Sequence, residues 1–398
     1  MTGLGMITPA GTDTASTWRT VTAGRPTAAP TGGLRECAVS FACSVPDSFD
    51  PVALLGIGAR RMDRFIQLAV AAARQALDDA ALDVNDLDRQ RVGVVLGTGF
   101  AGTGTWEAQL LRLHREGPAF VTPLAVPATI ANMAAAQICL DSRLHGPALS
   151  VSTACASGTN AVALGMDLIR AGRCDVVLAG GTEASITPLT ATAFHRLGAL
   201  STRHDAPGRA SRPFDRDRDG FVLAEGAAVL VLEAEQHARA RLARPYAQLL
   251  GAGASTDAHH LTTPDPEGRQ SARALELALA DAGVSAADVA HVNAHATGTP
   301  HGDASEARTI RRFFPHRPSV TAVKGSTGHL LAAAGAVEAA ITALTIHHRT
   351  TPAVANLTTP DDEELDLVTA ARPGRVPLAV TQSFGFGGHN AALVLAEA

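Results

Sequence analysis

The chain has 398 residues and a net charge of −5, from 33 Lys plus Arg against 38 Asp plus Glu. Its charges are interspersed, which excludes the basic stripe of a nucleic-acid binder. At 46% hydrophobic and 18% charged residues it has ample apolar material for a large core, excluding extensive disorder and allowing roughly two to three domains' worth of packing.

Aromatic residues are only 4% while Ala and Gly abound, so the core must be built by close approach of small side chains, as in helices packed tightly on a sheet. Short apolar runs alternate with Ala-rich helical stretches, an α/β pattern. Residues 63–82 read as a helix, with apolar residues recurring at three and four positions. A strand follows at 92–96 (VGVVL) and ends in GTGFAG at 97–102. That cluster fits a dinucleotide fingerprint, but the acid expected about 20 positions later is missing between Glu116 and Asp141.

The run 148–152 (ALSVS) reads as a strand leading into STACASGT at 152–159. Cys155 therefore falls at a strand-to-helix junction, where unpaired N–H groups and the helix dipole favour a thiolate. Small neighbours leave room for a substrate. The run 175–179 (DVVLA) reads as a strand ending at Gly180 and Gly181. DRDRDG at 215–220 imitates a calcium loop, but Gly226 stands where the bidentate Glu belongs, so it reads as a structural turn. No metal motif is present. Residues 271–282 read as a second helix.

His295 lies in VNAHATGTP (292–300) and His329 in VKGSTGH (323–329), both polar turns after strand-like runs. Lys324, five residues before His329, is the only lysine in a chain whose other basic residues are all Arg. A lone lysine suggests a position that needs a compact ammonium in place of a guanidinium fork. The longest apolar segment, 329–346, contains Glu338 and is mostly alanine, so it reads as a buried helix and not a membrane span. SFGFGG at 383–388 can present backbone N–H groups to an oxyanion, with a Phe as a movable wall. The five cysteines, too few and too irregular for a disulfide framework, point to a reducing, cytoplasmic setting.

Residues 221–235 and the C-terminus from 386 each read as a turn followed by an Ala-Val-Leu strand, and Cys155 and Lys324 each sit between a β-like run and a small-residue helix. This suggests two similar halves, 1–240 with the cysteine and 241–398 with the two histidines. Convergence of Ala-rich strands would produce the same weak similarity.

Several motifs in order carry a family resemblance: TGLGMITPAG (2–11), RRMDRFIQ (60–67), TACASGTNA (153–161), GALSTRHDAPGRASRPFDRDRDGFVLAEGA (198–227), NAHATGTPHGD (293–303), KGSTGHLLAAAGAVEA (324–339) and SFGFGGHNA (383–391). Over essentially its whole length the chain resembles the β-ketoacyl-[acyl-carrier-protein] synthases with a Cys-His-His triad. The resemblance implies a thiolase-like five-layer αβαβα fold of two similar halves, and decarboxylative condensation of an acyl thioester with malonyl-acyl carrier protein. Cys155 would carry the acyl group, with the N–H groups of Cys155 and Phe386 as oxyanion hole and Phe386 as gate. His295 and His329 would assist decarboxylation, with Lys324 supporting the site near His329. Thr297 and Thr299 would hold the pantetheine arm, Phe100, Ala125 and Phe194 would shape the acyl pocket, and Asp303, Glu306 and Glu338 would be structural acids. Arg60 and Arg61 would dock the acidic carrier protein.

No cofactor is implied beyond the phosphopantetheine that the carrier protein brings. The implied assembly is a homodimer, or a heterodimer with a chain-length-factor-like subunit. Some positions depart from the family pattern. Ala296 replaces a usual Gly, and Gly298 a usual Ser or Thr. Phe100 stands where elongation enzymes carry a smaller aliphatic residue, and Ala125 where a Phe often reaches across the dimer interface. These departures imply an unusual acyl or polyene-type chain and a dedicated pathway. Family members usually have several residues before TGLG that form a first strand. The main rival is a non-catalytic chain-length factor, which typically has Gln at the nucleophile position. A thiolase acting on CoA esters would need a later cysteine, and none follows Cys174. A nicotinamide oxidoreductase is a distant third.

Overall fold

The structure, a computed structural model, describes residues 1–398. In the first half, strands β1 (Gly3–Ile7), β2 (Val92–Gly97), β3 (Ala148–Val151), β4 (Val176–Glu183) and β5 (Gly226–Glu233) form a five-stranded sheet ordered β1-β5-β4-β2-β3. In the second, β6 (Gln248–Thr256), β7 (His291–Asn293), β8 (Ser319–Thr321), β9 (Asp366–Leu367), β10 (Leu378–Gly385) and β11 (His389–Ala396) form a six-stranded sheet ordered β9-β8-β7-β10-β11-β6.

The two sheets repeat one wiring. In the first, β1, β5 and β4 are antiparallel neighbours while β4, β2 and β3 run parallel. In the second, β6, β11 and β10 are antiparallel neighbours while β10, β7 and β8 run parallel. β9 is the one addition, parallel to β8. The fold is thus built of two similar halves. The first strand lies within TGLGMI itself, and β4 runs on through Gly180 and Gly181 to Glu183 instead of stopping at Ala179. Two glycines there leave the ladder intact, because Gly180 and Gly181 still pair with Val229 and Ala228.

The helices that layer these sheets are α1 (Arg64–Asp79), α2 (Thr103–Glu116), α3 (Ser157–Arg170), α4 (Pro188–Arg196), α5 (Arg269–Ala282), α6 (Pro300–Phe313), α7 (Lys324–Thr327) and α8 (Ala334–His348). Asp63 caps α1 by accepting from Phe65 N. One face of α1 then buries Phe65, Leu68, Ala69 and Ala72 in an apolar cluster with β2 and β5. On the far side, α5 packs Leu275, Ala278 and Leu279 against Val292, Val380 and Val394 of the second sheet. Between the sheets, α3 and α8 share a third cluster containing Ala161, Val162, Ala336, Val337 and Ala340. Helix, sheet, helix, sheet, helix: five layers in all.

The stretch Leu331–His348 is long and apolar enough to cross a membrane. Here it is the central helix, with every residue from Ala334 to Ile346 buried. Two helices approach this closely because the contact is made of glycine: a Cβ on Gly335 would lie 2.0 Å from Thr159 Oγ1, and one on Gly158 would lie 2.7 Å from Ala336 N.

Candidate active site

The nucleophile position is an elbow between β3 and α3. Ala154 sits at φ +50°, left-handed backbone that costs a non-glycine residue about 1 kcal/mol or more. The bend is held by Ser157, whose Oγ accepts from Thr153 N at 2.8 Å and donates to Ala154 O at 2.6 Å. Asn160 Nδ2 adds a bond to Thr153 Oγ1 at 2.8 Å. The glycine-rich turn after β10 lies directly against this elbow. A Cβ on Gly385 would come within 2.5 Å of Thr153 O and 3.1 Å of Cys155 N, so only glycine lets the turn come so close. The approach brings the Phe386 N–H close enough to the Cys155 sulfur to favour its thiolate.

Cys155 Sγ is 3.1 Å from His329 Nε2. The His329 and His295 rings meet edge to face with centroids 5.5 Å apart. All three side chains line one cavity of about 220 Å³, together with Phe194, Thr297, Thr299 and Phe386. Thr297 Oγ1 and Thr299 Oγ1 are 3.0 Å apart at the start of α6. Phe221 abuts His329 and Phe384 abuts His295, both edge-on, fixing the rings.

The electrostatics differ from the sequence expectation in two ways. Burial pushes the Cys155 thiol up to about 12, outweighing the nearby Lys324 ammonium and the Phe386 N–H, while Glu183 and Glu338 push it the same way. The resting sulfur is therefore a thiol, and its proton must leave during attack. Lys324, in turn, hydrogen-bonds to His295 and not to His329. Its Nζ reaches the His295 carbonyl oxygen and lies 3.3 Å from His295 Nδ1, and it is paired with Glu338. The turn of α7 separates Lys324 from His329 and points the ammonium across to the other ring.

An ammonium has no lone pair to offer, so at His295 Nδ1 it donates, which leaves the imidazole proton on Nε2. Burial, then Lys324, holds both imidazoles well below their ordinary value, with the two histidines' mutual repulsion adding at His295. Both rings are neutral: His295 donates from Nε2, and His329 Nε2, facing the thiol, can accept its proton.

The acids sit behind this layer. Glu306 accepts from the His295 and Ala296 N–H groups at 2.7 and 2.6 Å and from Gln382 Nε2 at 2.6 Å. Ala296 is bent to φ +21°, so the departure from the family's glycine falls on strained backbone. Asp303 accepts from Phe214 N and Gly298 N, which fixes the threonine turn. Asp215 anchors another turn, accepting from Asp217 N, Thr358 N and Thr359 N, as a structural reading of DRDRDG expects.

The glycine cluster after β2 has its two N–H groups occupied: Glu183 accepts from Gly99 N and Phe100 N, which places a carboxylate where a dinucleotide would need its phosphate. Phe100 lies outside the cavity lining but meets Phe194 edge-on at 6.0 Å. Ala125 is not on the cavity; it is buried in the short helix Ala125–Thr129. Arg60 and Arg61 are exposed on the turn before α1. No group of three or more His, Cys, Asp or Glu side chains is placed to hold a metal ion.

Sequence reasoning passed over Glu183, Gln382 and Phe384. An acid ending an apolar strand was a usable signal for Glu183. Gln382 and Phe384 carry none, because their partners lie far away in sequence.

Residues 1–238 match the model of the β-ketoacyl synthase N-terminal domain, and residues 246–358 that of the C-terminal domain. The chain belongs to the β-ketoacyl synthase family. It is 40% identical to 3-oxoacyl-[acyl-carrier-protein] synthase 2 of Coxiella burnetii, covering 100% of this chain and 98% of that protein. Against the Vibrio harveyi protein of the same name it is 41% identical, covering 99% and 97%. Among solved structures, the ishigamide ketosynthase/chain length factor superposes with a TM-score of 0.93 at 34% identity, covering 100% of this chain and 98% of that one. A ketosynthase bound to a hexaketide, in complex with its type II PKS acyl-carrier protein, superposes with a TM-score of 0.92 at 30% identity, covering 100% and 98%. The thiolase-like fold of the family is the fold of this chain.

Proposed function

We propose that the chain condenses an acyl thioester with malonyl-acyl carrier protein to give 3-ketoacyl-acyl carrier protein, with Cys155 as the acylated nucleophile. The observation that carries this reading is the convergence of Cys155, His329 and His295 on one cavity, with Cys155 Sγ 3.1 Å from His329 Nε2. A chain-length factor that only scaffolds would not need the thiol.

In the first half-reaction Cys155 Sγ attacks the acyl carbonyl carbon. The S–H proton passes to His329 Nε2 and then to the departing pantetheine thiolate, so a C–S bond forms as another breaks. The N–H groups of Cys155 and Phe386 take the developing oxyanion, each such donor being worth about 3 kcal/mol. In the second, malonyl loses CO2, and the electron pair of the broken C–C bond becomes an enolate whose oxygen the neutral His295 imidazole holds through its Nε2–H. A neutral donor stabilises the oxygen without protonating the carbon. That carbon attacks the Cys155 thioester, and the Cys155 thiolate leaves and takes one proton from solvent, matching the negative charge of the carboxylate lost as neutral CO2. Thr297 and Thr299 line the path a pantetheine arm would take to the sulfur.

The acyl chain would be unusual, since at two positions that the family resemblance assigns to the acyl pocket and its dimer edge, Phe100 is bulkier and Ala125 smaller than the usual residue, although neither lines the cavity of the single chain. Acyl transfer to Cys155 from a graded series of saturated acyl carrier proteins tests this; equal rates from short to long chains would overturn it. Arg60 and Arg61 would receive the acidic carrier protein. Replacing both with Glu should raise KM for carrier-protein substrates about ten-fold and spare small thioester mimics.

A second subunit of the same fold, identical or chain-length-factor-like, would cover the open edge. β3 is an edge strand whose Ala148, Leu149 and Ser150 are exposed, and nearby α2 exposes Trp106, Leu110, Leu111 and Leu113. Such an apolar edge requires a partner to cover it.

Activity itself is tested by mixing acyl- and malonyl-carrier proteins with the chain and its partner subunit. The 3-ketoacyl product and one CO2 per turn are expected. Release of CO2 without product would contradict the reading.

A further inference from the structure

Glu183 ends β4 and is fully buried, yet no Arg or Lys pairs with it. A buried carboxylate without a cation is costly, so its hydrogen bonds must hold it in place. They come from Gly99 N at 2.8 Å, Phe100 N at 3.2 Å and Ser185 Oγ at 3.1 Å. Two of the three are backbone groups of the segment that carries Phe100. The segment bends at Ala101, φ +53°, and its far end is held by a second buried acid, Asp63, which accepts from Thr105 N at 3.0 Å. Between them, Thr103 Oγ1 donates to Phe100 O at 3.1 Å and Gly102 N to Thr129 O at 3.2 Å.

From Phe100 a run of aromatic contacts leads to the nucleophile's cavity. The Phe100 ring meets Phe194 edge-on, and Phe194 meets Phe221 at 5.3 Å and Phe386 at 6.3 Å. We propose that Glu183 is the positioning residue of the acyl-pocket wall: by gripping the Gly99 and Phe100 backbone it fixes the Phe100 ring, and so limits the length of acyl chain that Cys155 accepts. This rests on the reading of Cys155 as the acylated residue and of Phe100 as part of its pocket.

The test measures the rate of Cys155 acylation by intact mass, with saturated acyl carrier proteins from short to long, for wild type, Glu183→Gln, Phe100→Ala and the double variant. Glu183→Gln should raise the long-to-short ratio about ten-fold, in the direction that Phe100→Ala raises it. The double variant should gain nothing beyond Phe100→Ala, because both changes release one wall. Gly99→Ala supplies a second probe that keeps the charge, since its Cβ would press to 2.9 Å from Glu183 Oε2; it should shift the ratio the same way. A uniform fall for every chain length, or multiplicative effects in the double variant, would overturn the proposal, as would a shift from Glu183→Gln that Phe100→Ala does not share. If the wild type gains no acyl mass at Cys155, the reading of the active site falls instead.

Discussion

Lys324 is held by three acceptors, of which two belong to His295 and the third is the buried carboxylate of Glu338. An Arg there would have to fit a planar fork into a site sized for one nitrogen. Lys324→Arg should therefore lower condensation by at least ~100-fold, the scale of breaking a buried ion pair. Because His329 and not Lys324 touches Cys155, the same variant should keep Cys155 acylation within about ten-fold of wild type. Measuring the two half-reactions separately checks this; equal loss in both would mean that Lys324 serves both rings. The parallel expectation is that His329→Ala slows acylation and His295→Ala spares it. The importance of Lys324 was legible in the sequence as a solitary lysine. Its partner was not, because five residues of separation along the chain suggested His329, while the one-turn helix α7 turns the ammonium towards a ring 29 positions away. The burial that pushes the Cys155 thiol up was likewise not legible, because the residues that enclose it are distant in sequence.

The α3–α8 contact ties the two halves together, and beside it Thr159 Oγ1 of α3 bonds Ser383 Oγ of β10 at 2.7 Å. Gly335→Ala would drive a methyl into that bond, which overpacking data put at about 1–3 kcal/mol. The melting temperature should fall by several degrees, with slower Cys155 acylation because α3 carries the elbow; an unchanged melt would show that the contact can yield. Elements with a strong period or a clear alternation, such as α1, β2 and α5, were readable along the chain. The end of β4 was not. Its glycines look like a terminator, and only pairing with Ala228 and Val229 of β5 explains why the strand continues to Glu183.

Across the whole molecule, buried titratable groups pull stability in opposite directions with pH. Burial pushes Glu183, Glu306 and Glu338 up to about 7 and Asp303 up to about 6. Between their ordinary values and these, the folded chain binds more protons than the unfolded one, so stability falls as pH rises. His291, pushed down to about 4 by burial, and His295 and His329, pushed down by burial and Lys324, do the reverse. Four acids against three histidines leave the acids ahead, so stability falls gently as pH rises from about 4.5 to 6.5. Below that, Glu233, at about 2 because its hydrogen bonds outweigh burial, and Asp215, depressed in the same way, lose stability as pH falls. Melting temperature should fall gently from pH 4.5 to 6.5 and drop steeply below 4; a continuous rise up to pH 7 would contradict this balance.

The duplicated architecture was faintly legible in two Ala-Val-Leu strands and two matching junctions. Its full extent lies in the repeated sheet order, which sequence cannot display because pairing partners are distant. The most direct test of the account is a two-step intact-mass experiment. Incubation with an acyl carrier protein charged with a suitable chain should add one acyl mass, lost in Cys155→Ala. A chase with malonyl-carrier protein should remove that mass while 3-ketoacyl-carrier protein and CO2 form. Acyl mass retained by Cys155→Ala, or an acyl adduct that malonyl-carrier protein never discharges, would contradict condensation at this site.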